Sequence, residues 1–301
     1  MKTRFALPVL ALLAAPLTAQ TIDTVGGTGS APSRANIAKA NLFQVDSTVL
    51  LTEIEMYLDV PTNDTITWFV YRHHSRDGDA AQLFTIPSTV TGGTGPGWYS
   101  SGFISVPMVC GNHYLIGAAW TSTVTYHYSI ASPGDPVSFG NWQRARTPTV
   151  PLAPTISITG NDAAQYYQRL TTIGLNSVAC GPVANCSGAT LAPRLVADNA
   201  PLIGQNFGLD IVGVQPNSLV LCALADGPPL GAPQPLLGCS VYLDLNAAVF
   251  TLTAFADGTG LASIPLSVPN NSALVGLQQA VQAAGVGSTI DMTNVLGLTV
   301  N

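Results

Sequence analysis

The chain is expected to be all-β, with two antiparallel β-sandwich domains of jelly-roll type in tandem. Three observations predict this. Short stretches of alternating apolar and polar residues recur between Gly, Pro, Asn and Asp, the period-two signature of half-buried strands. Charged residues make up only 9% of the chain, against roughly 25% in an average soluble protein, while Gly and Pro are plentiful. Residue usage also changes sharply across Cys180-Gly-Pro-Val-Ala-Asn-Cys186, a stretch that can continue neither a helix nor a central strand. Before this seam lie all 4 tryptophans and all 4 histidines; after it the only basic residue is Arg194.

The 301 residues are enough for two domains that each bury a core, and 47% hydrophobic content excludes a disordered chain. A net charge of −6 argues against nucleic acid, whose phosphates need clustered Lys and Arg. Residues 1–19 have a basic start, an apolar run from Phe5 to Leu17 broken by Pro8 and Pro16, and small residues at the end. They read as a secretory signal peptide cleaved after Ala19. The apolar run is shorter than the ~20 residues of a membrane-spanning helix, and no later segment resembles a span.

Residues 20–40 are rich in Gly, Ser, Thr and Ala without a period and are expected to be a flexible lead-in, with order starting near Asn41. The first sandwich then covers residues 41–179. Ile54, Met56, Leu58 and Val60 alternate with Glu53, Glu55, Tyr57 and Asp59, and after the Pro61–Asp64 turn Ile66, Trp68 and Val70 repeat the inward set. The pair is expected to form a hairpin. Further strands are expected over 82–90, 98–106, 113–120 and 124–130, with 165–172 closing the domain.

Three features of this half could carry chemistry. His73, His74, Asp77 and Asp79 share one loop, where imidazole and carboxylate ligands could hold a metal; calcium is the ion the acids suggest, although it wants six to eight oxygens. The same loop reads equally as a polar hairpin turn around Asp77-Gly78. Glu53, Glu55 and Asp59 form an acidic row, yet a glycosidase needs two carboxyls across a cleft, and acids on an open strand face are ordinary. The aromatic residues are the third feature. Trp68 and Trp120 sit in well-patterned strands and are expected in the core. Trp98 and Tyr99, after a glycine-rich run, and Trp142, in an unpatterned loop, are expected at the surface as candidate ligand-binding residues. The run Gly92–Gly97 lacks the Lys-Ser/Thr ending of a phosphate loop and precedes a strand.

Five cysteines leave at least one without a partner in the chain. The candidates are Cys180 with Cys186 and Cys222 with Cys239, or alternatively Cys186 with Cys239; spacing does not choose. Cys110, before the Gly111-Asn112 turn, is the expected free thiol. With no Cys-x-x-Cys and no histidine after the seam, a zinc site is not supported.

The second sandwich is expected over 187–301, after the 180–186 connector, with strands near 207–212, 219–225 and 241–245. Phe250–Ala256 and Ala262–Val268, joined by Asp257-Gly258-Thr-Gly260, read as a hairpin, with Pro265 restricted to an edge or a bulge. Residues 271–285 fit either a short helix capped by Ser272 and stopped by Gly285, or a strand. Dispersed Asp and Asn with no His and no Lys offer no set for acid–base or nucleophilic chemistry.

Leu51–Leu58, Ile66–Arg72, Gly95–Gly102 and Val106–Gly117 together resemble uncharacterised jelly-roll modules of secreted bacterial proteins. Pro201–Phe207, Leu237–Cys239, Ile264–Pro269 and Gly297–Val300 are similar to a C-terminal β-sandwich found at the ends of secreted proteins of environmental bacteria, with Thr293-Asn294 where that pattern has Ser-Asn. The second resemblance implies a strand over 274–282. Both imply fold and export, and neither brings catalytic residues.

The reading is a secreted, non-catalytic surface, adhesion or glycan-binding protein, with extracellular polysaccharide or cell-surface components as partners. No organic cofactor is implied. The alternatives are an extracellular hydrolase using carboxylates or histidines of the first domain, and a purely structural envelope or matrix protein.

Overall fold

The computed structural model describes residues 20–160, 162–184, 186 and 191–301, so the expected signal peptide lies outside the described residues. The fold is all-β and its sheets are antiparallel; among the described residues the helical element is a single 3₁₀ turn, Ser272–Leu274. Its N-cap Asn271 accepts a hydrogen bond from the Ala273 amide, and a strand, Gln278–Val286, follows. The 271–285 segment therefore holds both structures in turn.

Two large sheets form the part before the seam. In one, Val49–Asp59 lies beside Gln168–Gly174, with Gly97–Ser100, Val106–Met108 and Val124–Tyr126 pairing along it. In the other, Ile37–Val45, His113–Trp120, Asp64–His73 and Asp79–Val90 run in that spatial order, flanked by Gly140–Arg146 and Thr155–Ser157. Their facing sides bury Ile54, Met56, Leu58, Ile66, Trp68 and Trp120 in one core, as the alternation predicts. The outer side of the second sheet is also covered: Phe69, Tyr71 and Leu115 pack with Ile156 and Ile158.

The lead-in is ordered from its start. Gln20–Val25 adds an antiparallel edge strand to Gln168–Gly174, from Gln20↔Ile173 to Val25↔Gln168. Only Val25 of its side chains is buried, so ladder hydrogen bonds hold the strand and leave little apolar period to read. The strand expected over 98–106 is broken between Gly97–Ser100 and Val106–Met108, both pairing with Val49–Asp59. The 124–130 strand divides at His127.

Both expected hairpins are corners between sheets. Val49–Asp59 and Asp64–His73 belong to different sheets, as do Val249–Phe255 and Leu261–Ser267. At the second corner Asp257 Oδ1 accepts from the Thr259 and Leu261 amides, and Gly260, at φ +82°, lets its carbonyl receive the Gly213 and Val214 amides. The turn chemistry was legible, but the strands leaving it diverge.

The second sheet system begins just before the seam, with Val178–Cys180, expected to end the first sandwich: a five-stranded sheet (Val178–Cys180, Ile290–Thr299, Gln278–Val286, Leu219–Asp226, Val249–Phe255) faces a three-stranded one (Arg194–Ala197, Asn206–Val212, Leu261–Ser267) across Leu209, Ile211, Val220 and Val281. Leu261–Ser267 is the edge strand, which accommodates Pro265.

The cysteine pairing differs from the first expectation. Cys110 bonds to Cys180 across 70 residues, and Cys186 bonds to Cys239 across 53. Cys222 is the free thiol, buried in the second core. Cys180 and Cys186 are not bonded to each other, nor Cys222 to Cys239; only the Cys186–Cys239 alternative stands. Chain proximity suggested a local staple, whereas the fold brings the loop after Met108 against the Val178–Cys180 strand. There Thr48 Oγ1 donates to the Val178 carbonyl at 2.6 Å and Asn112 Nδ2 to the Ala197 carbonyl at 2.9 Å. Gly111, at φ +86°, sits where a Cβ would press on Val196 at 2.9 Å, so this turn both needs a left-handed residue and has no room for a side chain. Two disulfides fit a protein of an oxidising compartment.

Candidate functional site

The three aromatic candidates separate. Trp142 is fully buried in the Gly140–Arg146 strand, its Nε1 donating to Asn41 Oδ1 at 3.1 Å; it is core, not surface. A bulge between Trp142 and Arg144 interrupts the strand's pairing with Ile37–Val45, which is why its sequence showed no clean alternation. Asn41 also donates to the Tyr166 carbonyl and to Gln168 Oε1, so Trp142 belongs to a buried polar network. Tyr99 is half-buried and packs against the first core beside Met56. Trp98, next to it in a strand, points to the opposite face.

That face collects a group that sequence order had scattered. The outward positions of Val49–Asp59 are Glu53, Glu55, Tyr57 and Asp59. Register sets Trp98 opposite Tyr57 on one side and Arg169 opposite Glu55 on the other. Tyr167 joins because its carbonyl accepts the Tyr57 amide at 3.0 Å, while its own amide donates to the His127 carbonyl at 2.9 Å. The Tyr57 ring lies 5.3 Å from Trp98, 5.2 Å from Tyr167 and 5.1 Å from His127, and Trp98 lies 4.7 Å from Tyr167. The Trp98–Tyr167, Tyr57–Trp98 and Tyr57–His127 pairs meet edge to face, the favoured geometry for aromatic quadrupoles. The Arg169 guanidinium rests 3.9 Å over the Trp98 ring, a cation–π contact that covers part of it. All of these side chains are half-buried, so the face is a fixed, amphipathic platform at the sheet surface.

Two carboxylates border it. Ser100 Oγ donates to Glu53 Oε1. Partial burial lifts the Glu55 pKa, the Glu53 carboxylate adds to the rise, and Arg169 opposes it. Burial pushes the His127 pKa down, with Asp59 opposing, and both its ring nitrogens are shielded without a partner among the described residues.

The candidate metal loop is organised otherwise. His73 Nδ1 lies within hydrogen-bond distance of Ser75 N and O, and its ring centre lies 4.1 Å from that of His74, the two planes tilted by 31°. Asp77 pairs with Arg144 at 2.9 Å, which holds its carboxyl below the usual range, and Asp79 begins the Asp79–Val90 strand. Among the described residues no three His, Cys, Asp or Glu are grouped to hold a metal. Beside the loop lies a cavity of about 360 Å³ lined by His74, Arg76, His113 and Arg194 together with Gln44 and Gln143.

Tyr57, Tyr167, His127 and Arg169 were not singled out from the sequence as binding residues. The alternation marked Tyr57 as outward, but only the register of three strands shows that it meets Trp98 and Arg169.

No helix among the described residues is long and apolar enough to cross a membrane. No family model matches the chain, and no curated protein does. Among solved structures it aligns with a Bacteroides fragilis protein named "putative beta-galactosidase", at 10% identity and a TM-score of 0.19, over 90% of this chain and 33% of that one. The chain thus spans about a third of that structure's length, and overlap at this level places no activity on it.

Proposed function

We propose that this is a secreted, non-catalytic glycan-binding protein whose binding face is the platform of Tyr57, Trp98 and Tyr167. The carrying observation is that three aromatic rings lie 4.7–5.3 Å from one another on a half-exposed sheet face outside the core, with the Arg169 guanidinium 3.9 Å over the Trp98 ring. Sugars present apolar C–H faces ringed by hydroxyls. Rigid Tyr and Trp rings supply area for the first at low entropic cost, and Glu53, Glu55 and Arg169 supply hydrogen bonds for the second. Export is supported by the 1–19 segment and the two disulfides.

The test is retention of the protein on a panel of insoluble and soluble polysaccharides, with Trp98→Ala and Tyr57→Ala beside the wild type. Retention that both variants lose, while circular dichroism and melting stay unchanged, supports the reading. Failure of the wild type to bind any polymer defeats it.

One observation favours a hydrolase instead, the raised pKa of Glu55 beside Glu53. Both acids project from the same side of one strand, whereas glycosidases place two carboxyls across the scissile bond. Release of reducing ends that Glu55→Gln abolishes would establish that alternative.

A further inference from the structure

The cavity beside the seam has a composition unlike the rest of this acidic protein. Its wall carries Arg76, Arg194, His74 and His113, joined by Gln44, Gln143 and Ser75, and among the described residues no carboxylate lines it. The chain has 16 Asp and Glu against 10 Lys and Arg, so an acid-free wall with two arginines runs against its composition.

The nearby cations differ in how they are compensated. Arg144 engages Asp77 and the Gly160 carbonyl through Nη1 and the Arg76 carbonyl through Nη2, its Nε being left unpartnered among the described residues, and Arg72 donates to the Asp198 carbonyl. Arg194 uses Nη2 on the Gly111 carbonyl at 2.9 Å. Asp210, beside His74, accepts from Ser263 Oγ. The Arg76 side chain makes no hydrogen bond among the described residues and its Nε is shielded from solvent, although the Asp77 carboxylate, held by Arg144, acts electrostatically on both Arg76 and His113. His113, only 4% exposed, has a buried Nδ1 that is likewise unpartnered. Shielded polar groups without partners are costly, and an acid oxygen on the arginine together with a hydroxyl on the histidine would relieve that cost.

Guanidinium groups recognise carboxylate and sulfate through paired N–H donors. The two glutamine amides and the Ser75 hydroxyl add neutral groups suited to hydroxyls. The volume, about 360 Å³, lies at the lower end of the roughly 300–1,000 Å³ of small-ligand pockets and exceeds what one inorganic ion needs. We propose that this cavity binds an anionic sugar unit, carboxylated or sulfated, with Arg76 and Arg194 on the acid group and Gln44, Gln143 and Ser75 on the hydroxyls. This site is separate from the aromatic face and does not depend on it.

Calorimetric titration of the disulfide-bonded protein with trigalacturonate, a sulfated dextran oligomer, the neutral dextran oligomer and sodium sulfate tests the assignment. Binding of either acidic sugar at least 10-fold tighter than the neutral oligomer and the free sulfate is expected. Arg76→Ala, which removes no hydrogen bond of the folded protein, should weaken it at least 10-fold, and Trp98→Ala should leave it unchanged. Which acidic probe binds more tightly identifies the acid group. The proposal is overturned if no acidic sugar binds, if the neutral oligomer or free sulfate binds equally well, or if Arg76→Ala keeps full affinity. Loss with Trp98→Ala but not with Arg76→Ala would assign the acidic sugar to the aromatic face and also refute it.

Discussion

Cys110 and Cys180 are bonded across 70 residues, joining the turn after Val106–Met108 to the first strand of the second sheet system. Around this bond Val109 and Cys110 pack into the second core although they precede the seam by most of a domain. The two parts of the chain are thus fastened by a covalent link, by packing and by the hydrogen bonds of Thr48 and Asn112.

Closing loops of this length removes enough unfolded-state entropy to stabilise a fold by about 2–4 kcal/mol. Cys110→Ser with Cys180→Ser should lower the unfolding free energy by that amount in urea, with Cys186–Cys239 intact. A change below 0.5 kcal/mol, taken as about the scatter of a neutral surface substitution, would show that the link contributes little.

Thiol counting checks the pairing directly. Burial pushes the Cys222 thiol up to about 12, so it is both shielded and un-ionised at neutral pH. The native protein should show no reactive thiol, and the denatured, unreduced protein one, mapped by peptide mass to Cys222. A thiol at Cys110 would contradict the structure.

Acid should weaken the fold through His113. Burial first, then Arg194, His73, Arg144 and Arg76, push its pKa from 6.5 down to about 4. The unfolded chain therefore takes up a proton between these values that the folded chain refuses, and stability falls as pH drops from 6.5 to 4. The loss amounts to about 3 kcal/mol. Denaturant titrations at several pH values should show it in the wild type and much less of it in His113→Gln.

Lys39 should act in the opposite pH range. It is 6% exposed, donates to Thr147 at 2.9 Å and lies 4.6 Å from the Tyr126 ring centre, and burial lowers its pKa from 10.5 to about 8. Between these values the unfolded chain holds a proton that the folded chain releases, so this contribution rises with pH. Against Lys39→Met, wild-type stability should gain about 1–2 kcal/mol from pH 8 to 10.5, after discounting for partial solvent screening. The comparison with the variant removes the contrary trend from Cys222 and the buried tyrosines, whose raised pKa values make stability fall over the alkaline range.

For the aromatic face, Trp98→Ala should weaken polysaccharide affinity at least 10-fold, equivalent to about 1.4 kcal/mol. Trp142→Ala should instead destabilise the fold by about 3–5 kcal/mol, because it empties a core site and removes one of the hydrogen bonds to Asn41 Oδ1. Affinity electrophoresis and thermal melts separate the two, and a Trp142 variant that melts normally would contradict its burial.

The sequence by itself determined the strand content and which side of most strands faces inward. Ile54, Met56, Leu58, Ile66, Trp68 and Val70 are buried as their alternation requires, because a strand's backbone alone sends successive side chains to opposite faces. It also limited Pro265 to an edge or a bulge, since a residue without an N–H cannot serve two neighbours, and the structure places it on an edge. Tertiary structure decided what each strand pairs with. Asp257-Gly258 makes a turn in either case, but whether the strands leaving it share a sheet depends on packing against segments far along the chain. The same holds for Cys110 finding Cys180, for Trp142 entering the core through a bulge, and for Tyr57, Trp98, Tyr167 and Arg169 meeting on one face. These relationships join residues dozens of positions apart, and local side-chain pattern carries no record of them.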